Sequence, residues 1–286
     1  MPGVTLVRTA PEIITKSSYV RAAFTRSLGY NVRLALRARG AKSICMEKGP
    51  GRFFIMGASP AAARALQKTF GVHAYAHALH IGPVSLEEIA RESARYASRK
   101  WRKAGTFAVR AKRSGRTGFS SHDIEIACGA AILEQVPALK VDLSAPQKTL
   151  YVEAYEKATY LYDDVESGPG GLPVGVSGKV GVLFEKGSKA EGDCAKLLFK
   201  RGCAVRAIVR KQTTAIKKRL RTLEPWNAGA PLLMSHPKRA RRACVALACA
   251  DTVLSPRSAR EFAAFDEASG MLVLRPLLLA PKEVVP

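Results

Sequence analysis

Apolar residues recur along this chain in two rhythms, and the rhythms alternate. Residues 4–8 step in the two-residue period of a strand. From Lys16 to Arg39 the step lengthens. Val20, Ala23, Phe24, Leu28, Val32, Ala35 and Leu36 recur at threes and fours, which predicts a helix closed by Gly40. Residues 43–47 and 52–57 read as two strands joined by the turn-rich Glu47-Lys48-Gly49-Pro50-Gly51-Arg52. Ser59 as a cap and Pro60 in the first turn open a second helix, and 72–80 is a further strand. The order β-α-β-β-α-β predicts a ferredoxin-like unit over residues 1–80.

A second unit follows over 81–167. Ser85 with Glu88 three residues on predicts a capped helix running to about Lys103. A strand over 106–112 and a helix beginning at Ser120-Ser121 come next. Ile124, Cys128, Ala131 and Ile132 form that helix's apolar stripe, and strands over 149–153 and 158–162 close the unit. The Gly/Pro-rich stretch 168–178 serves as a linker. From 179 to 286 the pattern is strand (180–184), helix (around 193–200), strand (204–209) and helix (213–222). An apolar 231–234, a helix over 236–248 and strand-like runs at 250–254 and 271–274 complete it. The fold class expected is α+β for the first two units and an open parallel-sheet α/β domain for the third. No internal repeat is visible.

Charge changes this picture more than composition does. The chain has 286 residues, is 47% apolar, and carries a net charge of +23 with pI ≈ 10.1. The charge is uneven. Residues 1–80 hold 12 Lys/Arg against 2 Asp/Glu, 81–175 hold 13 against 12, and 176–286 hold 21 against 9. Such a surplus points to a polyanionic partner, most often nucleic acid. No run of about 18 apolar residues implies a membrane span. The N-terminus lacks the basic-then-apolar layout of a signal peptide, so no membrane partner and a cytoplasmic location are expected. The six cysteines form no CxxC pair and read as small buried hydrophobes rather than metal ligands.

Several motifs then fall in order. Pro11-Glu12-Ile13-Ile14-Thr15-Lys16-Ser17, with Val20-Arg21 and Phe24, resembles the opening of the 4-thiouridine synthetase (ThiI) family, as does Thr69-Phe70-Gly71-Val72. Phe107–Arg113, Phe119-Ser120-Ser121, Lys140–Leu143 with Pro146, and Tyr151-Val152-Glu153 resemble that family's THUMP domain. Gly170-Gly171-Leu172-Pro173-Val174-Gly175 resembles the entry into its third domain. The resemblance implies a ferredoxin-like domain, a THUMP domain that grips tRNA, and a PP-loop ATP pyrophosphatase domain. The family's SGGxDS loop is not matched. After Val182 the chain reads Leu183-Phe184-Glu185-Lys186-Gly187-Ser188-Lys189, with one glycine and with Glu185 where a phosphate would arrive. The catalytic cysteine's region reads Ser235–Arg239, and 254–260 shares almost nothing with a segment that contributes to nucleotide binding. Leu198–Gly202, Leu274–Leu277 and Lys282-Glu283 keep the family's flanking text.

The candidate RNA contacts are cations with interleaved aromatics: Lys16, Arg21 and Arg26; Lys100, Trp101, Arg102 and Lys103; Arg110, Lys112, Arg113 and Arg116. A second basic run, Arg206 to Arg221, lies in the third domain. The expectation is a tRNA-binding or structured-RNA-binding protein without cofactor, acting alone or with a separate catalytic protein. An active tRNA sulfurtransferase using ATP and magnesium is the alternative. Lys186 and Lys189 could still touch phosphate. Cys194 could be activated if it sits at a helix start.

Overall fold

The computed structural model describes residues 3–57, 59–83, 85–115, 118–251 and 256–278. The expected contacts at Arg116 and the texts at 252–255 and 282–283 lie outside them. The first half builds one mixed sheet of nine strands, in the order β2-β3-β1-β4-β8-β7-β5-β6, with β9 also on β4. The strands are β1 (Gly3–Thr9), β2 (Cys45–Gly49), β3 (Arg52–Met56), β4 (Val72–Gly82), β5 (Gly105–Ser114), β6 (Leu139–Val141), β7 (Lys148–Tyr155), β8 (Ala158–Tyr162) and β9 (Val165–Ser167). The helices are α1 (Pro11–Ile14), α2 (Ser18–Arg37), α3 (Pro60–Ala63), α4 (Leu86–Lys100) and α5 (Ser121–Gln135). The strand β4 pairs with β1 on one side and with β8 and β9 on the other, so the sheet is continuous across residue 80.

One sheet face is covered by helices. Leu28, Val32 and Leu36 of α2 bury against Val7, Phe53, Ile55 and Tyr75. Ile89 and Ala97 of α4, with Ile124, Cys128 and Ile132 of α5, bury against Phe107, Val109, Leu150 and Val152. Among the described residues no helix covers the other face, which is nevertheless buried because the sheet curls onto itself. Phe54 of β3 stacks on Tyr160 of β8 at 4.4 Å between centroids and meets Tyr155 of β7 edge-on at 5.5 Å, although β1 and β4 separate those strands. Val4, Leu6, Ala76 and Ala78 fill the remainder of that concavity.

The C-terminal domain is a parallel sheet in the order β12-β11-β10-β13-β14. Its strands are β10 (Lys179–Leu183), β11 (Ala204–Ile208), β12 (Met234–Ser235), β13 (Ala246–Ala248) and β14 (Leu272–Leu274). Its helices are α6 (Lys189–Lys200), α7 (Thr214–Leu223), α8 (Ala240–Ala243) and α9 (Pro256–Ser269). The helix expected over 236–248 is corrected: a 3₁₀ turn at Pro237–Arg239 and one turn of α8 give way to β13, whose three residues are all buried. A fully buried strand this short shows no two-residue alternation, so it merged with the apolar residues before it. The strands β6 and β9 were not expected either: at three residues each and mostly exposed, they are too short to show a period.

The domain docks firmly on the first half. Phe70, from the ferredoxin-like part, is 1% exposed within the C-terminal core, 5.5 Å from Trp226 and 6.5 Å from Phe199. Asn31 Nδ2 of α2 donates to the Val174 carbonyl at 3.0 Å, and Leu172 N–H donates to the Lys200 carbonyl at 3.0 Å. Gly171 has φ +73° and lies so close to the end of α6 that a Cβ would stand 2.5 Å from the Lys200 carbonyl oxygen.

Candidate functional site

The expected RNA contacts fall into three separate places. Lys16, Arg21 and Arg26 are exposed at the start of α2 and along it. Arg21 folds back, donating to the Ile14 carbonyl at 3.3 Å. At the end of α4, Arg102 and Lys103 are exposed, and Lys100 is tied down by Asp163 (3.0 Å) and Asp164 (3.2 Å). Burial opposes the Lys100 charge, but the Asp163 bond, the Tyr96 ring and Asp164 more than offset it and raise its pKa. Trp101 is a correction. It is 4% exposed, packs 5.8 Å from Phe107 and donates its indole N–H to Asp163 at 2.9 Å. An RNA base cannot stack on it. Its position closing α4 against the core decides its role.

On β5 the alternation places Arg110 and Lys112 on the concave side of the sheet. Arg110 donates to the Leu143 carbonyl, and Arg113 to the Gly115 carbonyl at 3.0 Å. Lys112 faces a group that was not foreseen. Arg8 and Arg52 both pair with Glu153, which also accepts from Tyr162 (2.7 Å) and Tyr155 (2.9 Å). The guanidinium of Arg8 lies 5.7 Å from the centroids of both Tyr151 and Tyr162, at cation–π distance. Arg52 first, then burial, then Arg8 hold the Lys112 pKa below its ordinary value. Three cations against one carboxylate leave positive charge at the rim of the concavity. The readable signal was Tyr151-x-Glu153-x-Tyr155 and Tyr160-x-Tyr162, polar aromatics at the spacing of one sheet face.

The loop after β10 is ordered by a different carboxylate from the one expected. Glu185 is exposed and does not fill the turn. Glu191 does. Its Oε1 accepts from the backbone N–H groups of Glu185 (2.9 Å) and Lys186 (3.0 Å), and its Oε2 accepts from that of Ser188 (2.8 Å). Ser188 Oγ in turn accepts the Glu191 N–H, a complete capping box, so α6 begins at Lys189. Glu191 is 7% exposed. Converging loop amides at a helix N-terminus are what an anion binds, and here the anion is the chain's own side chain.

The remaining loop residues are committed as well. Phe184 is 1% exposed in the domain core, and Leu183 packs against the separate cluster of Ile208, Cys244 and Leu247. Gly187 has φ +72°, and a Cβ there would stand 2.5 Å from the Ala215 backbone of α7, so this glycine permits helix packing. Arg219 Nε holds the Gly187 carbonyl at 3.2 Å. Lys186 is exposed, and Lys189, 80% exposed, pairs with Asp193. A cavity of about 360 Å³ beside the loop is lined by Glu185, Glu191, Asp251 and Glu261 against Lys186 and Arg275, so carboxylates outnumber cations there.

Cys194 is also a correction. Because α6 starts at Lys189, Cys194 lies in its second turn, fully buried. Burial, then Cys249 and Asp251, push its pKa up, away from thiolate. Burial likewise pushes Cys249 up to about 12. Cys45 is exposed, whereas the other five cysteines are buried.

A curled ferredoxin-like and THUMP-type sheet joined to a parallel α/β domain defines a class of multidomain fold, and comparison makes this specific. Residues 4–76 match the ThiI ferredoxin-like domain and residues 83–164 the THUMP domain. The chain is 35% identical over 207 residues to "Probable tRNA sulfurtransferase" of Aeropyrum pernix, covering 71% of this chain and 51% of that one. It is 34% identical over 200 residues to the tRNA sulfurtransferase of Desulfurococcus amylolyticus, covering 70% and 40%. By these two domains and these relatives, the chain belongs to the ThiI family and is a THUMP-domain protein related to tRNA sulfurtransferases. It spans about half the length of the relatives it matches. Its fold is that of PH1313 from Pyrococcus horikoshii (TM-score 0.84, 23% identity, 99% of this chain and 97% of that one). It is also that of a 4-thiouridine synthetase in complex with RNA and ATP (TM-score 0.73, 20% identity, 99% and 83%). Among the described residues, no helix is long and apolar enough to cross a membrane.

Proposed function

We propose that this protein binds tRNA or a similarly structured RNA through its ferredoxin-like and THUMP domains, and that its C-terminal domain is a degenerate PP-loop domain that does not bind ATP phosphates. The carrying observation is Glu191. A phosphate entering the loop must displace a buried carboxylate that three backbone amides already hold at 2.8–3.0 Å. Hydrogen bonds to an ionised acceptor are among the stronger ones, about 1.5–3 kcal/mol each. The surrounding carboxylates add repulsion toward a triphosphate. RNA binding is supported by the two matched domains, by the net charge of +23, and by Arg102, Lys103 and Lys112, which remain exposed.

In this reading the chain acts in tRNA modification as an RNA-holding component, alone or with a separate catalytic protein. The second reading, an active tRNA sulfurtransferase, is favoured by the names of the relatives at 34–35% identity. Pyrophosphate release from ATP in the presence of tRNA separates the two. The proposal expects none above background, together with RNA binding whose affinity falls steeply with salt. Release that depends on tRNA brings the second reading forward.

A further inference from the structure

The helix α2 carries no acidic residue over its 20 positions and four arginines: Arg21, Arg26, Arg33 and Arg37. It also carries, among the described residues, two of the most exposed aromatic side chains, Tyr19 at 85% and Tyr30 at 62%. At about 100° per residue, Tyr30 lies about 20° round the helix from Tyr19. Arg26 lies about 20° the other way, Arg33 about 40°, and Arg37 is in line. All five fall in a band about 60° wide and about 27 Å long. The buried residues Leu28, Val32, Ala35 and Leu36 lie on the opposite side, against the sheet. Arg21, the cation that folds back on the Ile14 carbonyl, is off the band. Among the described residues, neither tyrosine makes a ring contact, and Arg26, Arg33 and Arg37 make no ion pair.

Two large flat side chains left in water, with guanidinium groups between and beyond them, match the composition of a single-stranded nucleic acid: planar bases carried on a regular row of negative charges. We infer that this band is a binding track for unpaired RNA, with Tyr19 and Tyr30 as stacking platforms about 17 Å apart. Arg26, Arg33 and Arg37 contact the phosphates. The track rests on the RNA-binding reading given above and deepens it, because it names the part of the RNA that is read: an unpaired tail or loop. A duplex keeps its bases stacked inside and offers the tyrosines nothing to stack on. An anionic membrane is the poorer occupant, since the band holds no aliphatic side chain to insert.

The test uses the full chain with a 12-nucleotide unpaired RNA and with tRNA carrying or lacking its unpaired 3′ end. Tyr19→Ala with Tyr30→Ala is expected to lower affinity for the 12-mer about tenfold or more, and to leave its salt dependence unchanged. Tyr19→Phe with Tyr30→Phe keeps the ring and is expected to restore binding. Arg26→Ala, Arg33→Ala and Arg37→Ala together are expected to flatten the salt slope by about 2. The tyrosine pair is expected to weaken tRNA only when the unpaired end is present. Unchanged affinity of the Tyr→Ala pair for the 12-mer overturns the track while leaving RNA binding elsewhere intact. A wild-type chain that binds neither RNA overturns the preceding reading with it. Sedimentation with phosphatidylserine vesicles that the Tyr→Ala pair abolishes, with RNA binding unchanged, also overturns it.

Discussion

Glu153 in the curled sheet and Glu191 in the C-terminal loop are both more than nine-tenths buried, and they answer opposite situations. Glu153 stands against Arg8 and Arg52, with Lys112 close by, so the carboxylate is outnumbered and positive charge remains at the rim. Glu191 stands against three backbone amides whose combined pull is that of a phosphate site, and it takes up all three. The first region is left with positive potential at its rim. The second spends its own internally. A sequence count of charges treats the two acids alike, but their surroundings leave one region with unmatched positive charge and the other with its amides already taken up.

The sharpest way to break the comparison is Glu153→Ala. It strands two arginines and two tyrosine hydroxyls in the concavity, and an expected loss of about 3–5 kcal/mol in urea unfolding follows from leaving buried charge unpaired. A loss under 1 kcal/mol would mean that water already serves those groups.

Asp163 comes next. It holds Tyr96 (2.6 Å), Trp101 (2.9 Å) and Lys100 (3.0 Å). Asp163→Ala is expected to cost about 2–3 kcal/mol. Burial alone would raise its pKa, yet those bonds bring it below the ordinary 3.8. The folded value is depressed, so its stabilisation is present above about pH 4 and is lost as pH falls through the folded value. Acid unfolding of Asp163→Asn should lack that part of the slope.

Gly187→Ala tests the loop. A Cβ 2.5 Å from the α7 backbone at φ +72° is expected to cost about 1–3 kcal/mol and to loosen the Glu191 cradle. The smallest effect belongs to Lys189→Ala. Its side chain is 80% exposed and its pair with Asp193 is screened, so a change within about 0.5 kcal/mol is expected.

Much of this was legible in the sequence where local chemistry decides. Ser85 and Ser120 cap their helices as their text implies, and Ser120 with Asp123 forms a complete capping box. The same signature, Ser188 with Glu191 three residues on, stands in the sequence too, and it starts α6 at Lys189, four residues before the helix expected around 193–200. Residues that act across long separations were not legible. Arg8 and Glu153 are 145 positions apart and meet only because the sheet curls. Trp101 looked like a stacking surface among cations, and only the position of Asp163 shows that its indole faces inward. The helix expected over 236–248 failed because three buried alanine and leucine positions make a strand only when β10 and β14 lie beside them.

The most direct measurement is calorimetric titration of the purified chain with ATP and magnesium, with and without tRNA. A loop filled by Glu191 predicts no binding heat in either case, alongside tight, salt-sensitive tRNA binding. Micromolar ATP binding by the wild-type chain would contradict it, because it would mean that the loop amides release their carboxylate to a phosphate.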